Sequence, residues 1–230
     1  MGALGPNEWA AIYLSLRVAV VAVICALPFA IGVAYLLARK RFFGRQLLNV
    51  LVHLPLVMPP VVTGYLLLVI FGAQGPVGRI FDQLFGITLG FRWTGAALAA
   101  AVMAFPLMVR AIRLGIEAID PGLEDAAATL GASRWRIYAT VTLPLALPSI
   151  LAGVVLGFAK ALGEFGATIT FVAAIPGQTQ TIPSAIYGLL QVPNSEPAVI
   201  SLVAVSIVFA IGALLVSEWL AQRLAQRRGR

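Results

Sequence analysis

The stretch Asp120-Pro-Gly-Leu-Glu-Asp-Ala-Ala-Ala-Thr-Leu-Gly-Ala-Ser-Arg-Trp-Arg-Ile-Tyr-Ala-Thr-Val-Thr-Leu-Pro144 separates two long apolar runs and resembles neither. Asp120 followed by Pro121 marks a helix start. The carboxylate offers an acceptor to free N–H groups, and proline in the first helical position has no N–H to satisfy. Glu124 and Asp125 fall in or beside the first turn, where the helix dipole favours acids. Ala126, Ala127 and Ala128 make a narrow, strong helix. Gly131 breaks it and permits close backbone approach. Arg134, Trp135, Arg136 and Tyr138 then predict a second short helical piece. Connections in compact folds are usually short. This one, residues 120–140, is helical and rich in small residues, a shape suited to docking in a partner's groove. The residues alone leave a second reading open, an amphipathic connector tied to lipid headgroups by its arginines.

On either side of this segment the chain is apolar. Of its 230 residues, 60% are hydrophobic and 11% charged. A soluble domain is nearer about half apolar and a quarter charged. A bilayer core about 30 Å thick takes roughly 20 apolar residues as a helix. Five such spans are expected, at about 15–38, 47–72, 93–116, 141–163 and 197–219. Pro55, Pro59 and Pro60 break the second. The uncharged stretch 165–195 carries Thr, Gln, Gly and Pro at a density that punctuates structure. It is read as the end of span four, a loop, and a short helix near 182–190 lying at the membrane face. The expectation is therefore an all-α integral membrane protein with a single domain over residues 1–230. No cleavable leader is expected, because the first 16 residues carry no Lys or Arg and the first span is too long.

Sixteen Lys and Arg against nine acids give a formal charge of +7. With five spans, twelve of those sixteen fall on one side: Arg39, Lys40, Arg41, Arg45, Arg110, Arg113, Arg134, Arg136, Arg223, Arg227, Arg228 and Arg230. Positive charge collects on the cytoplasmic side, so the N-terminus is expected outside and the C-terminus inside. The same distribution argues for membrane-flanking charge and against nucleic acid. One cysteine and one histidine exclude an internal disulfide and a Cys- or His-cluster metal site within one chain. No nucleophile with its base and no phosphate-binding loop appears, so the chain is not expected to be an enzyme.

The 120–144 segment resembles the EAA loop of ABC-importer permeases. That pattern is Glu-Ala-Ala, three residues, Gly, nine residues, Ile, any residue, Leu-Pro. Gly131 places Asp125, Ala126 and Ala127 at the first three positions, Val141 at the isoleucine and Leu143-Pro144 at the end. Asp125 and Val141 depart from the pattern while keeping its chemistry, and Glu124 stands beside Asp125. His53 to Tyr65, Ala104 to Arg113 and Leu162 to Phe171 are similar to the molybdate branch of these permeases, and the similarity runs from about Trp9 to Arg223.

The resemblance implies a type I importer permease with a five-helix core in the bacterial cytoplasmic (inner) membrane. It implies a homodimer, two ATPase subunits in the cytoplasm and an external oxyanion-binding protein. It also implies no cofactor on this chain, with ATP and Mg held by the partner ATPase. Residues Glu124, Asp125, Ala126, Ala127, Gly131, Val141, Leu143 and Pro144 become the ATPase-coupling loop. Tungstate and sulfate or thiosulfate remain alternative cargoes, and a stand-alone secondary transporter a remote one.

An oxyanion crossing the membrane needs N–H, hydroxyl or cationic donors. Pro59, Pro60 and Thr63 at the broken span, and Thr168 and Thr170 near the outer end of span four, are candidate pathway residues. Ordinary helix packing would place the same residue types there. Lys160 and Glu164, four apart, are read as a structural pair or an outer gate. His53 is read as a hydrogen-bonded helix residue, Cys25 as apolar filler and Arg17 as reaching outer headgroups. Trp9, Trp93 and Trp219 suit an interfacial belt, and Arg227, Arg228 and Arg230 suit anionic lipid.

Overall fold

Small residues set the centre of the fold. The computed structural model describes residues 4–86 and 88–228. Its elements are α1 (Pro6–Arg39), α2 (Arg45–Val57), α3 (Pro60–Phe71), α4 (Pro76–Phe85) and α5 (Trp93–Glu117). They continue as α6 (Pro121–Thr129), α7 (Arg134–Ile137), a π-turn (Tyr138–Thr142), α8 (Leu143–Leu162), α9 (Gly166–Val172), α10 (Ile182–Leu189) and α11 (Glu196–Arg228). In α1, Ala19, Ala22, Ala26, Ala30 and Ala34 recur every three or four residues and are all buried. In α5, Ala96, Ala97, Ala99, Ala100 and Ala104 are also all buried, with Ala96, Ala100 and Ala104 four apart on one face. Lipid is as apolar as the side chains, so helix association rests on van der Waals contact, and small residues let backbones approach.

The alanine half of α5 packs with Leu14, Val18 and Ala19 of α1 and with Ala167, Phe171 and Val172 of α9. Its other half, Met108, Val109, Ile112 and Ile116, packs with Ala30, Ala34 and Leu37 of α1 and with Ala146 and Ile150 of α8. Of the apolar window in α5, 61% is buried inside the chain, against 6% in α11, so α5 is the axis and α11 the periphery.

Four helices are long and apolar enough to cross a membrane, and α2 with α3 makes a fifth segment, bent by 114°. The break expected from Pro55, Pro59 and Pro60 lies at Met58 and Pro59. Pro60 opens α3, where a missing N–H costs nothing. The helices are longer than the expected spans. α1 begins at Pro6, with Glu8 in its first turn, because a helix can continue past the apolar core into the headgroup layer. The fourth crossing runs unbroken from Arg134 to Leu162 through the π-turn. The short helix expected near 182–190 is α10. It is anchored by Ile182 N–H donating to Ser15 Oγ at 2.7 Å. It packs against Ala11, Ile12 and Leu202. α4, an amphipathic helix before α5, was not foreseen.

Cys25, expected as apolar filler, is exposed on α1, because Ala22, Val23 and Ala26 form the face that turns inward. Replacing Ala100, fully buried, with Leu is expected to cost about 1–3 kcal/mol by overpacking. Thermal unfolding of the purified protein in detergent reads this as a lower midpoint, whereas Cys25→Leu leaves the midpoint unchanged.

Candidate functional site: the 120–144 loop and the broken-helix junction

The loop is built from caps. Asp120 Oδ1 accepts from Gly122 N–H at 2.9 Å and starts α6. Gly131 N–H donates to Ala128 O at 3.0 Å and Ala132 N–H to Ala127 O at 3.2 Å. Together with Gly131 at φ +82, these two bonds form a Schellman stop. A Cβ at Gly131 would meet open space. Within the chain, then, glycine is needed for its left-handed backbone and not for a close approach. Ser133 Oγ accepts from Arg136 N–H at 3.4 Å and starts α7. Pro144 cannot donate to Thr140 O, and its ring would crowd that carbonyl in an α-helix. The π-turn absorbs this, with Leu143 N–H donating to Tyr138 O.

One carboxylate ties the loop to the bundle. Arg39 Nε donates to Glu124 Oε1 at 3.2 Å and Thr142 Oγ1 donates to the same oxygen at 2.8 Å. Arg39 also donates through a second nitrogen to Ile119 O at 3.0 Å. The Arg39 and Glu124 side chains are only 14% and 20% exposed, so the charges attract through poorly screened surroundings. Glu124 thus joins the end of α1, the loop helix and the foot of α8. Aromatic contacts repeat the connection. The rings of Tyr35 and Tyr138 meet edge-on at 4.8 Å, and Trp135 lies 5.4 Å from Tyr138.

Away from the bundle the loop is open. Among the described residues of α6, none is buried. Asp125, Ala126, Gly131 and Pro144 are exposed, while Ala127, Val141 and Leu143 are half-buried. Leu123, Leu130 and Trp135 are 50%, 88% and 74% exposed. Apolar groups held out on a rigid support are the anatomy of a docking surface. Sequence reasoning missed these three, although isolated apolar residues in a charged loop were a usable signal. It also placed Arg39 only among the basic residues of the cytoplasmic side, because its partner is 85 residues away.

The candidate pathway residues gather at the second feature, where α3 crosses α9. A Cβ on Gly64 would sit 2.9 Å from Ala167 Cα and from Thr170 Cβ, and one on Gly166 2.7 Å from Pro60 Cβ. Thr168 and Thr170 are therefore not at the end of span four but on a separate helix. α8 stops at Leu162, and Glu164 Oε1 accepts Ala167 N–H at 3.0 Å to start α9. Glu164 Oε2 meets Lys160 Nζ at 2.8 Å, and the glutamate is 2% exposed, so the expected pair is formed. Thr63 is buried with its hydroxyl unpartnered, Thr168 is buried, and Thr170 Oγ1 donates to Gly166 O. Pro59 and Pro60 are exposed.

His53 Nδ1 lies 2.8 Å from Asn49 O, one turn back in α2. Arg17 stacks on Trp93, 3.7 Å from the ring centroid. Trp9 and Trp219 are 59% and 51% exposed. The side chains of Arg227 and Arg228, and Arg230 altogether, lie outside the described residues.

Comparison with known proteins agrees with this geometry. A family described as "Binding-protein-dependent transport system inner membrane component" matches residues 26–227. The "Molybdenum transport system permease protein ModB" of Escherichia coli (strain K12) is 57% identical over 223 residues, 97% of each chain. The protein of that name from Haemophilus influenzae is 56% identical over 222 residues, 96% of this chain and 97% of the other. A solved bacterial ABC transporter involved in importing the acidic polysaccharide alginate superposes with a TM-score of 0.71 at 19% identity, over 96% of this chain and 80% of that one. The fold is that of a type I ABC importer permease.

Glu124→Ala removes the acceptor of two donors and is expected to cost about 2–4 kcal/mol. Proteolysis is expected to cut the 120–140 loop faster in that variant. Asp125→Ala, on an exposed position, leaves the proteolysis rate as in wild type. Gly64→Val is expected to force α3 from α9 and lower the thermal midpoint in detergent.

Proposed function

The chain belongs to the binding-protein-dependent transport system inner membrane components, and on that premise we propose that it is the permease subunit of an ATP-driven importer carrying molybdate across the cytoplasmic membrane. The observation that carries the ATP-driven part is the exposed, internally braced loop of residues 120–144. A helix with its apolar groups held outward and its back tied to two membrane helices transmits force from a partner. The cargo follows from the near-full-length likeness to molybdenum permeases.

In this reading one domain of residues 1–230 pairs with a second copy. Two ATPase subunits, holding ATP and Mg, each receive one loop through Asp125, Ala126, Ala127, Gly131, Leu130 and Trp135. Glu124, Val141, Leu143 and Pro144 carry the motion into α1 and α8. An external binding protein delivers the oxyanion. The N-terminus faces out, and the loop and C-terminus face the cytoplasm. Closure of the ATPases moves the loops, rocks the two permeases and exchanges inward for outward access. The chain itself breaks and forms no covalent bond. The cargo passes by the paired α3–α9 junctions, with Pro59 and Pro60 on the open side. Thr63, Glu164, Thr168 and Thr170 hold that wall in shape. The Lys160 cation beside this wall is neutralised by Glu164, which suits a conduit that must release a dianion.

Proteoliposomes containing this chain and its ATPase, with the binding protein added outside, test the reading. Molybdate uptake is expected to need all three proteins and ATP, and to be blocked by tungstate but not by sulfate. Block by sulfate would move the cargo to sulfate, and uptake without ATPase would overturn the reading. Gly131→Glu, at φ +82, is expected to insert normally and to abolish uptake.

A further inference from the structure

The end of the bundle opposite the loop holds a cavity of about 560 Å³ that the transport reading leaves unused. It lies between the first turns of α1, the start of α5 and the segment after α9. Arg17 and Arg92 line it, with Trp93, Thr94, Gln178 and Thr179. No aspartate or glutamate does. Among the described residues, neither arginine has an ion-pair partner. Arg17 is held instead by the Trp93 ring, with its guanidinium carbon 3.7 Å from the centroid. Such stacking fixes the guanidinium plane and leaves its N–H edge for an oxygen ligand.

Thr94 adds a neutral donor. Its hydroxyl is shielded from water and has no partner, an arrangement that costs free energy unless a ligand completes it. Arg92 is the N-cap residue of α5 and makes no side-chain cap. The first N–H groups of a helix have no intrahelical acceptor. All of these groups are donors, and both charges are positive. Tyr13 and Leu14 supply an apolar wall.

We propose that this cavity binds a tetrahedral oxyanion group, with Arg17 and Arg92 as its charge partners and Thr94 as its neutral donor. The group is either the phosphodiester of a membrane phospholipid or a free phosphate-type anion. Both present several acceptor oxygens to a guanidinium fork. The inference stands apart from the identity of the transported cargo.

The test uses the full chain purified in detergent. Native mass spectrometry measures retention of dioleoylphosphatidylglycerol against dioleoylglycerol, which lacks the phosphodiester. Tryptophan fluorescence is titrated with inorganic phosphate at constant ionic strength, with Trp93→Phe to identify the signal. Retention of the phospholipid, or a saturable Trp93 response to phosphate, supports the site and says which source fills it. Arg17→Gln with Arg92→Gln is expected to weaken the bound probe about tenfold or more, and Thr94→Val several-fold. If the double variant does not fold, Arg92→Gln alone decides, because Arg92 is exposed. Wild-type binding by the folded variants, or no binding of either probe to wild type, overturns the proposal.

Discussion

Close packing along α5 is the constraint on which the other elements depend. Within a bilayer there is no hydrophobic gain from pressing one apolar helix against another. Two alanine stripes, one on α1 and one on α5, let the backbones approach until dispersion contacts hold them. α8 then packs on the larger residues of the lower half of α5, Met108, Ile112 and Ile116. Because α1 and α8 both rest on α5, a displacement at the foot of either is carried along a rigid body. α11, hardly buried, is left free to face lipid or another subunit.

At that foot stands the Glu124 carboxylate. It receives a charge-assisted bond from the last turn of α1 and a hydroxyl from the buried Thr142 of the π-turn. The π-turn exists because Pro144 would otherwise crowd a carbonyl of the preceding turn. It swings Thr142 into reach of Glu124 and lets Tyr138 meet Tyr35. The two adjacent acids thus divide their tasks. Glu124 holds the loop to its own chain, and Asp125 remains available to a partner. In the proposed importer, that bracing is what couples the loop to the helices behind it.

The junction of α3 and α9 follows a different rule. Both helices are short, both begin just after another helix ends, and both use glycine where they cross. Glu164 pairs with Lys160 and accepts the Ala167 N–H at the start of α9, so it helps fix the turn between α8 and α9. The opposite end of the bundle collects unpaired donors around Arg17 and Arg92.

Much of this was legible in the residues. Hydropathy marks the apolar segments, because a bilayer imposes a length of about 20 residues whatever the packing. Proline marks the break in the second, because a missing N–H is a local fact. Asp120 and Gly131 mark the ends of α6, because caps act within a turn. The spacing of Asp125, Gly131 and Leu143-Pro144 carries the resemblance to the EAA loop. What the sequence could not reveal depends on contacts between distant residues. The Arg39–Glu124 bond joins positions 85 apart. The separation of α9 from α8, and its close fit against α3, depends on what lies opposite Gly64 and Gly166. Cys25 turned outward because helical phase is set by the neighbouring helices, and the composition of one segment does not record which face they take. The local chemistry of the chain determined which segments enter the membrane and where the loop helix α6 is capped. Only tertiary packing, through small residues meeting across helices, decided which side chains meet.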